Sequence, residues 1–342
     1  MHFNFSEEQL LFQQGLRDML AKECASERIR ALWDSETGRS PELWSAFAGM
    51  GLTGLLVPEQ SGGLGMDETD FVLLLEETGR VAVAEPLVDT ALVATRLIAE
   101  SGNADLCDEW LPRIASGDAV VTVGHDINTA VADAHIADLI LFGAEGCIYA
   151  IDPKDAELVG QASVDPGRRL FTVGWKQSTS VVVAEGVAAQ KALDAALDRG
   201  ALGVAAQQLG IGQRLIEMGV AYAKEREQFG KPIGSFQAVK HMLASVQVRV
   251  EFARPVVYRA AFSVAHDLPT RAVDVSQAKA AASEAALLAV KTALQVHGAI
   301  GYTSELDLHM WMKRAWSLEA AWGTSRWHRR RVARAVLDDV AA

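Results

Sequence analysis

Short, β-branched runs punctuated by Gly, Asp and Pro occur in only one part of this chain, and that confinement limits the folds open to it. AVVTVG, DLILFG, CIYAID and TSVVVAEG all fall between residues 118 and 186. Each has the length and composition of a strand bounded by turn residues. Before and after them, apolar residues recur at helical spacing. A helix, strand, helix order with the strands kept together excludes a parallel βαβ repeat and predicts an α+β fold, mostly α. The expected division is a helical domain over 1–117, a small β domain over 118–186 and a second helical domain over 187–342. A length of 342 residues suits about two domains, or three small ones, at roughly 150 residues each.

Local signals refine the helical parts. Ser6, followed by Glu7 and Glu8, reads as an N-cap with acids in the first turn, ahead of Leu10, Leu11, Leu16 and Leu20. Ser40-Pro41-Glu42 opens another helix with Pro at its first position. VPEQSGGLGMD (57–67) is a Gly-rich loop, and helices are expected from Asp67 to about Ala82 and from about Pro86 to Ser101. Beyond Val187 the pattern stays helical, with prolines only at 232, 255 and 269. Small residues in AKAAASEAALLAVKTA (278–293) permit close helix–helix approach.

Charge narrows the function. Lys and Arg total 32 against 44 for Asp and Glu, a net charge of −12. Nucleic acid and anionic membranes are therefore poor partners, because phosphate binding is mostly a Lys/Arg effect. Cys24, Cys107 and Cys147 form no close pair, which fits a reducing, cytoplasmic setting and neither a disulfide framework nor a cysteine zinc site. No signal peptide and no apolar membrane-spanning run are evident. His297 and His309 lack companions at metal-ligand spacing, so no metal is expected.

Two C-terminal segments carry the candidate chemistry. YAKEREQFGKPIGSFQAVKHMLA (222–244) starts as a helix, breaks at Phe229-Gly230-Lys231-Pro232 and restarts near Ser235 as an N-cap. Arg226 there is either a helix C-terminal dipole partner or, with Gln228 and Phe229, a contact for an anion lying along the turn. QVHGAIGYTSELDLHMWMKRA (295–315) reads as a helix ending at Gly298 before a new helix; on spacing alone, HGAIG is an ordinary C-cap. Arg326, Arg329, Arg330, Arg331 and Arg334 form a basic cluster near the C-terminus, a solvated helix face or a site for a diphosphate or a subunit.

Together the two segments resemble the acyl-CoA dehydrogenase family, which pairs an Arg-x-Gln/Thr-Phe-Gly element with a downstream Gln-x-x-Gly-x-x-Gly-Tyr element in this order. PEQSGGLGMD is similar to that family's Pro-Glu-x-x-Gly-Gly-x-Gly loop. The resemblance spans nearly the whole chain. It implies a C-terminal four-helix bundle, FAD as cofactor, assembly as a dimer of dimers, and α,β-desaturation of an acyl-CoA thioester with an electron-transfer flavoprotein as acceptor. It further implies that Arg226, Gln228, Phe229, Gln295, Gly298 and Ala299 reach an FAD held largely by a neighbouring subunit. Thr324 and Ser325 match the stretch that contacts the diphosphate.

The resemblance fails at two places. The family's usual base is the Glu of a Tyr-Glu-Gly-Thr stretch; here that stretch is Ala321-Trp322-Gly323-Thr324, and indole cannot accept a proton. The minority base position falls on Gly200, leaving Asp198 and Glu319 as alternatives. The strand and loop that hold the flavin ring are also missing between Gly117 and Gly186, with Gly174-Trp175 a faint echo. The combination resembles the base-lacking chain of a heteromeric acyl-CoA dehydrogenase, some of which act on steroid side-chain esters. Two other readings stay open: a homomeric enzyme using Asp198 or Glu319, and a structural pseudoenzyme subunit.

Overall fold

The structure, a computed structural model, describes residues 4–128 and 130–337. The ends of the first and last expected ranges, 1–3 and 338–342, lie outside the described residues. The N-terminal third holds α1 (Glu7–Glu23), α2 (Ser26–Trp33), α3 (Pro41–Gly49), α4 (Glu68–Arg80), α5 (Thr95–Ala99) and α6 (Ala104–Ser116). Strands follow: β1 (Val121–Gly124), β2 (Val131–Ala132), β3 (Leu139–Ala144), β4 (Cys147–Ile151), β5 (Glu157–Gln161), β6 (Leu170–Gly174) and β7 (Val181–Glu185). The chain then runs through α7 (Gly186–Glu225), the short pair β8 (Glu227–Gln228) and β9 (Lys231–Pro232), α8 (Gln237–Ala265), α9 (Arg271–His297), α10 (Leu308–Ala320) and α11 (Ser325–Leu337). This is the α+β, mostly helical fold the sequence predicts.

The chain divides into two compact units. One comprises Glu27–Phe71 and Ala84–Gly203. Its strands form a four-stranded sheet, β1-β3-β4-β7, and a three-stranded sheet, β2-β6-β5. Only β1 and β3 pair in parallel; the other pairs are antiparallel. Val131, Ile140, Tyr149 and Ile151 bury a common core, with Phe142 and Trp175 packed against it. In this unit Ser40 caps α3 by accepting from the Leu43 N–H at 3.2 Å, as expected. The 57–67 loop folds back so tightly that a Cβ on Gly63 would lie 2.1 Å from the Val57 carbonyl oxygen. The helix expected from Pro86 to Ser101 is only partly α: Val88–Ala94 is π-helical, and α5 follows it. Hydroxyl groups stitch the wider turns, Thr95 donating to the Thr90 carbonyl at 3.0 Å and Thr90 to that of Val121 at 2.9 Å.

The other unit comprises Met1–Ser26, Val72–Val83 and Val204–Ala342. α1 begins with a capping box: Ser6 Oγ accepts from the Gln9 N–H at 3.2 Å, and Gln9 Oε1 accepts from the Ser6 N–H at 2.8 Å. The small-residue helix α9 is buried along most of its length, and α8, α10 and α11 pack against it. α4 and the later half of α7 cross at glycines. A Cβ on Gly79 would meet the Gln207 carbonyl oxygen at 2.1 Å, and one on Gly210 that of Glu76 at 1.9 Å. Ser235 is not the cap of α8. Ile233–Ser235 is a 3₁₀ turn, and Phe236 precedes the helix without a side-chain cap bond.

Candidate functional site

The Arg226 segment is a hairpin. As α7 ends, the Arg226 N–H donates to the Tyr222 carbonyl and the Ile233 N–H to the Arg226 carbonyl, both at 2.8 Å. Glu227 pairs with Pro232 and Gln228 with Lys231, so Phe229 and Gly230 form a two-residue loop with φ of 55° and 76°. Two successive positive φ values give the primed turn whose twist suits a tight hairpin. Gly230 adopts it freely, whereas Phe229 is strained there by about 1–3 kcal/mol. The ring is nonetheless 91% exposed. Arg226 is exposed and has no carboxylate partner among the described residues. The Gln228 amide donates to the Glu227 carbonyl beside it, at 2.7 Å.

The Gln295 segment lies against this hairpin. Tyr222 stacks on His297 with centroids 4.4 Å apart, and Ala223, Leu243 and Val296 bury a small core beneath them. Burial holds the His297 pKa below its usual range, and its Nδ1–H donates to the Ala293 carbonyl at 2.7 Å. Gly298 ends α9 with φ 65° and ψ −140°, a conformation a side chain would strain. Gln295, Gly298 and Ala299 are exposed, as is Tyr302 at 80%. The fold thus brings Arg226, Gln228, Phe229, Gln295, Gly298 and Ala299 to one end of the bundle, all of them exposed.

The turn that follows α10 is built differently. Trp322 is 1% exposed and has φ 54°. Its path is held by a fully buried ammonium: Lys279 Nζ donates to the carbonyls of Leu318, Glu319 and Gly323 at 3.2, 2.9 and 3.0 Å, and reaches Ser283 Oγ at 3.3 Å. A cation at the carbonyl end of α10 is also favoured by the helix dipole. His328 Nε2–H donates to the Trp322 carbonyl at 2.8 Å, and its Nδ1 faces Ser276 Oγ at 3.1 Å. Thr324 caps α11 through the Trp327 N–H at 3.2 Å. Glu319 Oε1 accepts from the Ser325 N–H at 2.9 Å, while the buried Ser325 hydroxyl has no partner among the described residues. Lys279 and His328 were not among the expected site residues. The signal for Lys279 is a cation among the small residues at the start of AKAAASEAALLAVKTA, the stretch expected to pack closely.

Asp198 belongs to the other unit and is fully buried. Its neighbour Arg199 bonds Glu68 at 2.8 Å and Glu100 at 2.6 and 2.9 Å. Trp175 lies 4.5 Å from the Phe142 ring and 6.0 Å from that of Tyr149, in the core of the β module. Among the described residues no group of His, Cys, Asp or Glu could hold a metal, and no helix is long and apolar enough to cross a membrane.

Comparison with known proteins agrees with this architecture. Residues 6–118 match the acyl-CoA dehydrogenase N-terminal domain, and residues 190–337 match the acyl-CoA dehydrogenase C-terminal domain. The chain belongs to the acyl-CoA dehydrogenase family of FAD-dependent oxidoreductases. It is 33% identical over 310 residues to acyl-CoA dehydrogenase IpdE2 of Mycobacterium tuberculosis, covering 90% of this chain and 91% of that one. Among solved structures it resembles the steroid ACAD Tcur3481-Tcur3483, at TM-score 0.89 and 27% identity over 98% of this chain and 99% of that one. It also resembles the ChsE4-ChsE5 complex of Mycobacterium tuberculosis, at TM-score 0.87 and 25% identity over 99% of both chains.

Proposed function

We propose that this chain is the base-lacking subunit of a heteromeric acyl-CoA dehydrogenase, whose homologous partner supplies the catalytic Glu for α,β-desaturation of an acyl-CoA. The observation that carries the reading is the contrast between two sites. At the usual base position stands Trp322, buried and unable to take a proton. At the end of the bundle, Arg226, Gln228, Phe229, Gln295, Gly298 and Ala299 are all exposed. One similar structure is the ChsE4-ChsE5 complex, which supports a heteromer, and another is the steroid ACAD Tcur3481-Tcur3483, which supports a bulky, steroid-like acyl group.

FAD fits the residues present. Arg226 offers a planar fork of donors suited to a diphosphate, Gln228 and Gln295 offer amides, and Phe229 offers an exposed ring. Gly298 and Ala299 leave the backbone approachable. Thr324 and Ser325 match the stretch that contacts the diphosphate, and the Ser325 hydroxyl, buried in this chain, has no hydrogen-bond partner among the described residues. FAD, when bound, supplies the hydride acceptor of the reaction, and an electron-transfer flavoprotein would take the electrons onward. The three ranges 1–117, 118–186 and 187–342 remain our reading of the domains.

The flavin-to-chain ratio tests the reading. Expressed alone, the chain should hold far less than one FAD, and flavin should rise when it is co-purified with a homologous subunit carrying the Glu. Desaturation of an acyl-CoA at an ordinary rate by the isolated chain would overturn it. The homomeric alternative would then require Asp198→Asn or Glu319→Gln to cost on the order of 10²–10⁴ in rate.

A further inference from the structure

A cavity of about 310 Å³ opens between the last turn of α1, the end of α4, the later half of α7 and α10. Three guanidinium groups (Arg17, Arg80 and Arg214) line it against two carboxylates, Glu77 nearby and Glu217 below Arg80, so its surroundings carry one excess positive charge. That excess is not spread evenly. Glu77, only 2% exposed, is satisfied by Arg17 through two bonds of 2.8 and 2.6 Å. Arg80 gives one nitrogen to both oxygens of Glu217, at 2.8 and 2.9 Å. Arg214 has only a 3.9 Å approach to Glu217, beyond hydrogen-bond distance.

The Arg214 side chain is nevertheless held in place. Its guanidinium lies 5.4 Å from the centroid of Trp311, within range of a cation–π contact. Trp311 in turn is fixed by its indole N–H, which donates to the Arg80 carbonyl at 2.9 Å. Arg214, its side chain 43% exposed, makes no hydrogen bond among the described residues. It lies on an aromatic wall at the mouth of a cavity where guanidinium groups outnumber carboxylates, a donor set that suits an oxyanion.

We propose that this cavity is a binding site for a small oxyanion of the phosphate or carboxylate class, with Arg214 as the principal donor and Arg17 and Arg80 supplying the field. The site is independent of the subunit reading above, since none of its residues belongs to the hairpin or to the Trp322 turn.

The test is calorimetric titration of the full chain with inorganic phosphate and, separately, with succinate, at constant ionic strength held with chloride. Saturable one-site binding of either anion is expected, with affinity about tenfold weaker in Arg214→Gln, the size of one lost charge-assisted interaction. Arg214→Lys keeps the charge but loses the fork, and should bind more weakly than wild type. Phosphate alone binding would mark a phosphate-type ligand; both binding would mark a general oxyanion site. Absence of saturation in the wild-type chain, or equal affinity in Arg214→Gln, would overturn the proposal. Should Arg214→Gln fail to fold, Arg214→Lys carries the comparison, and wild-type affinity in it would overturn the proposal.

Discussion

His328 Nε2 lies 2.8 Å from the carbonyl oxygen of Trp322 and joins the start of α11 to the buried turn before it. The bond requires the proton on Nε2, so Nδ1 is left to accept from Ser276. Burial, with the nearby charges of Lys279 and Arg331 adding to it, pushes the His328 pKa down to about 3 from an ordinary 6.5. Between those values the unfolded chain binds a proton that the folded chain refuses. Stability from this group is therefore fully present above pH 6.5 and is lost as pH falls toward 3, with a slope of up to about 1.4 kcal/mol per pH unit. In urea titrations across this window, the difference in stability between wild type and His328→Gln should shrink as the pH drops. A constant difference would refute the assignment.

Lys279 makes a second prediction. Replacing it by Met deletes the donor to three carbonyls that end α10 and shape the Trp322 turn. Buried acceptors without partners are expensive, and a destabilisation of about 2–4 kcal/mol is expected from denaturant unfolding. A change below about 0.5 kcal/mol would mean that water or a rearranged turn replaces the ammonium.

Much of the fold was legible because its signals are local. The Ser6 and Ser40 caps, the strand runs and the glycine ending α9 follow from residues within a few positions of one another. The π-helical stretch at Val88–Ala94 was not legible, since its wider turns depend on Thr90 reaching the Val121 carbonyl, a contact far along the sequence. Ser235 misled for a related reason: the hairpin carries the chain through a 3₁₀ turn before α8 can start. At the candidate site, motif spacing named Arg226, Gln228, Phe229 and Gln295. It could not reveal that Tyr222 and His297 clamp the two segments together, or that Lys279 and His328 fix the Trp322 turn.

The α4–α7 crossing separates packing from helix propensity. Gly49, the last residue of α3, has open space where a Cβ would go. Gly49→Ala should therefore be neutral or stabilising by up to about 1 kcal/mol. Gly210→Ala places its methyl 1.9 Å from the Glu76 carbonyl oxygen, so the helices must separate. A loss of about 1–3 kcal/mol is expected despite the better propensity. Opposite signs for the two substitutions in thermal unfolding would establish that the crossing depends on backbone contact.

Phe229 tests whether hairpin strain serves function. Among the described residues the ring meets Phe236 edge-on at 6.1 Å, and it is 91% exposed. Its positive φ is a conformation that Asn tolerates far better. Phe229→Asn should therefore leave stability unchanged or raise it by up to about 1 kcal/mol. If the exposed ring packs on a dinucleotide held by the partner, the same substitution should lower flavin retention of the co-purified complex. Arg226→Ala should lower it further, without a matching loss of stability in the isolated chain. Flavin content unaffected by both variants would show that the hairpin has another task, and the structural-subunit reading would then take precedence.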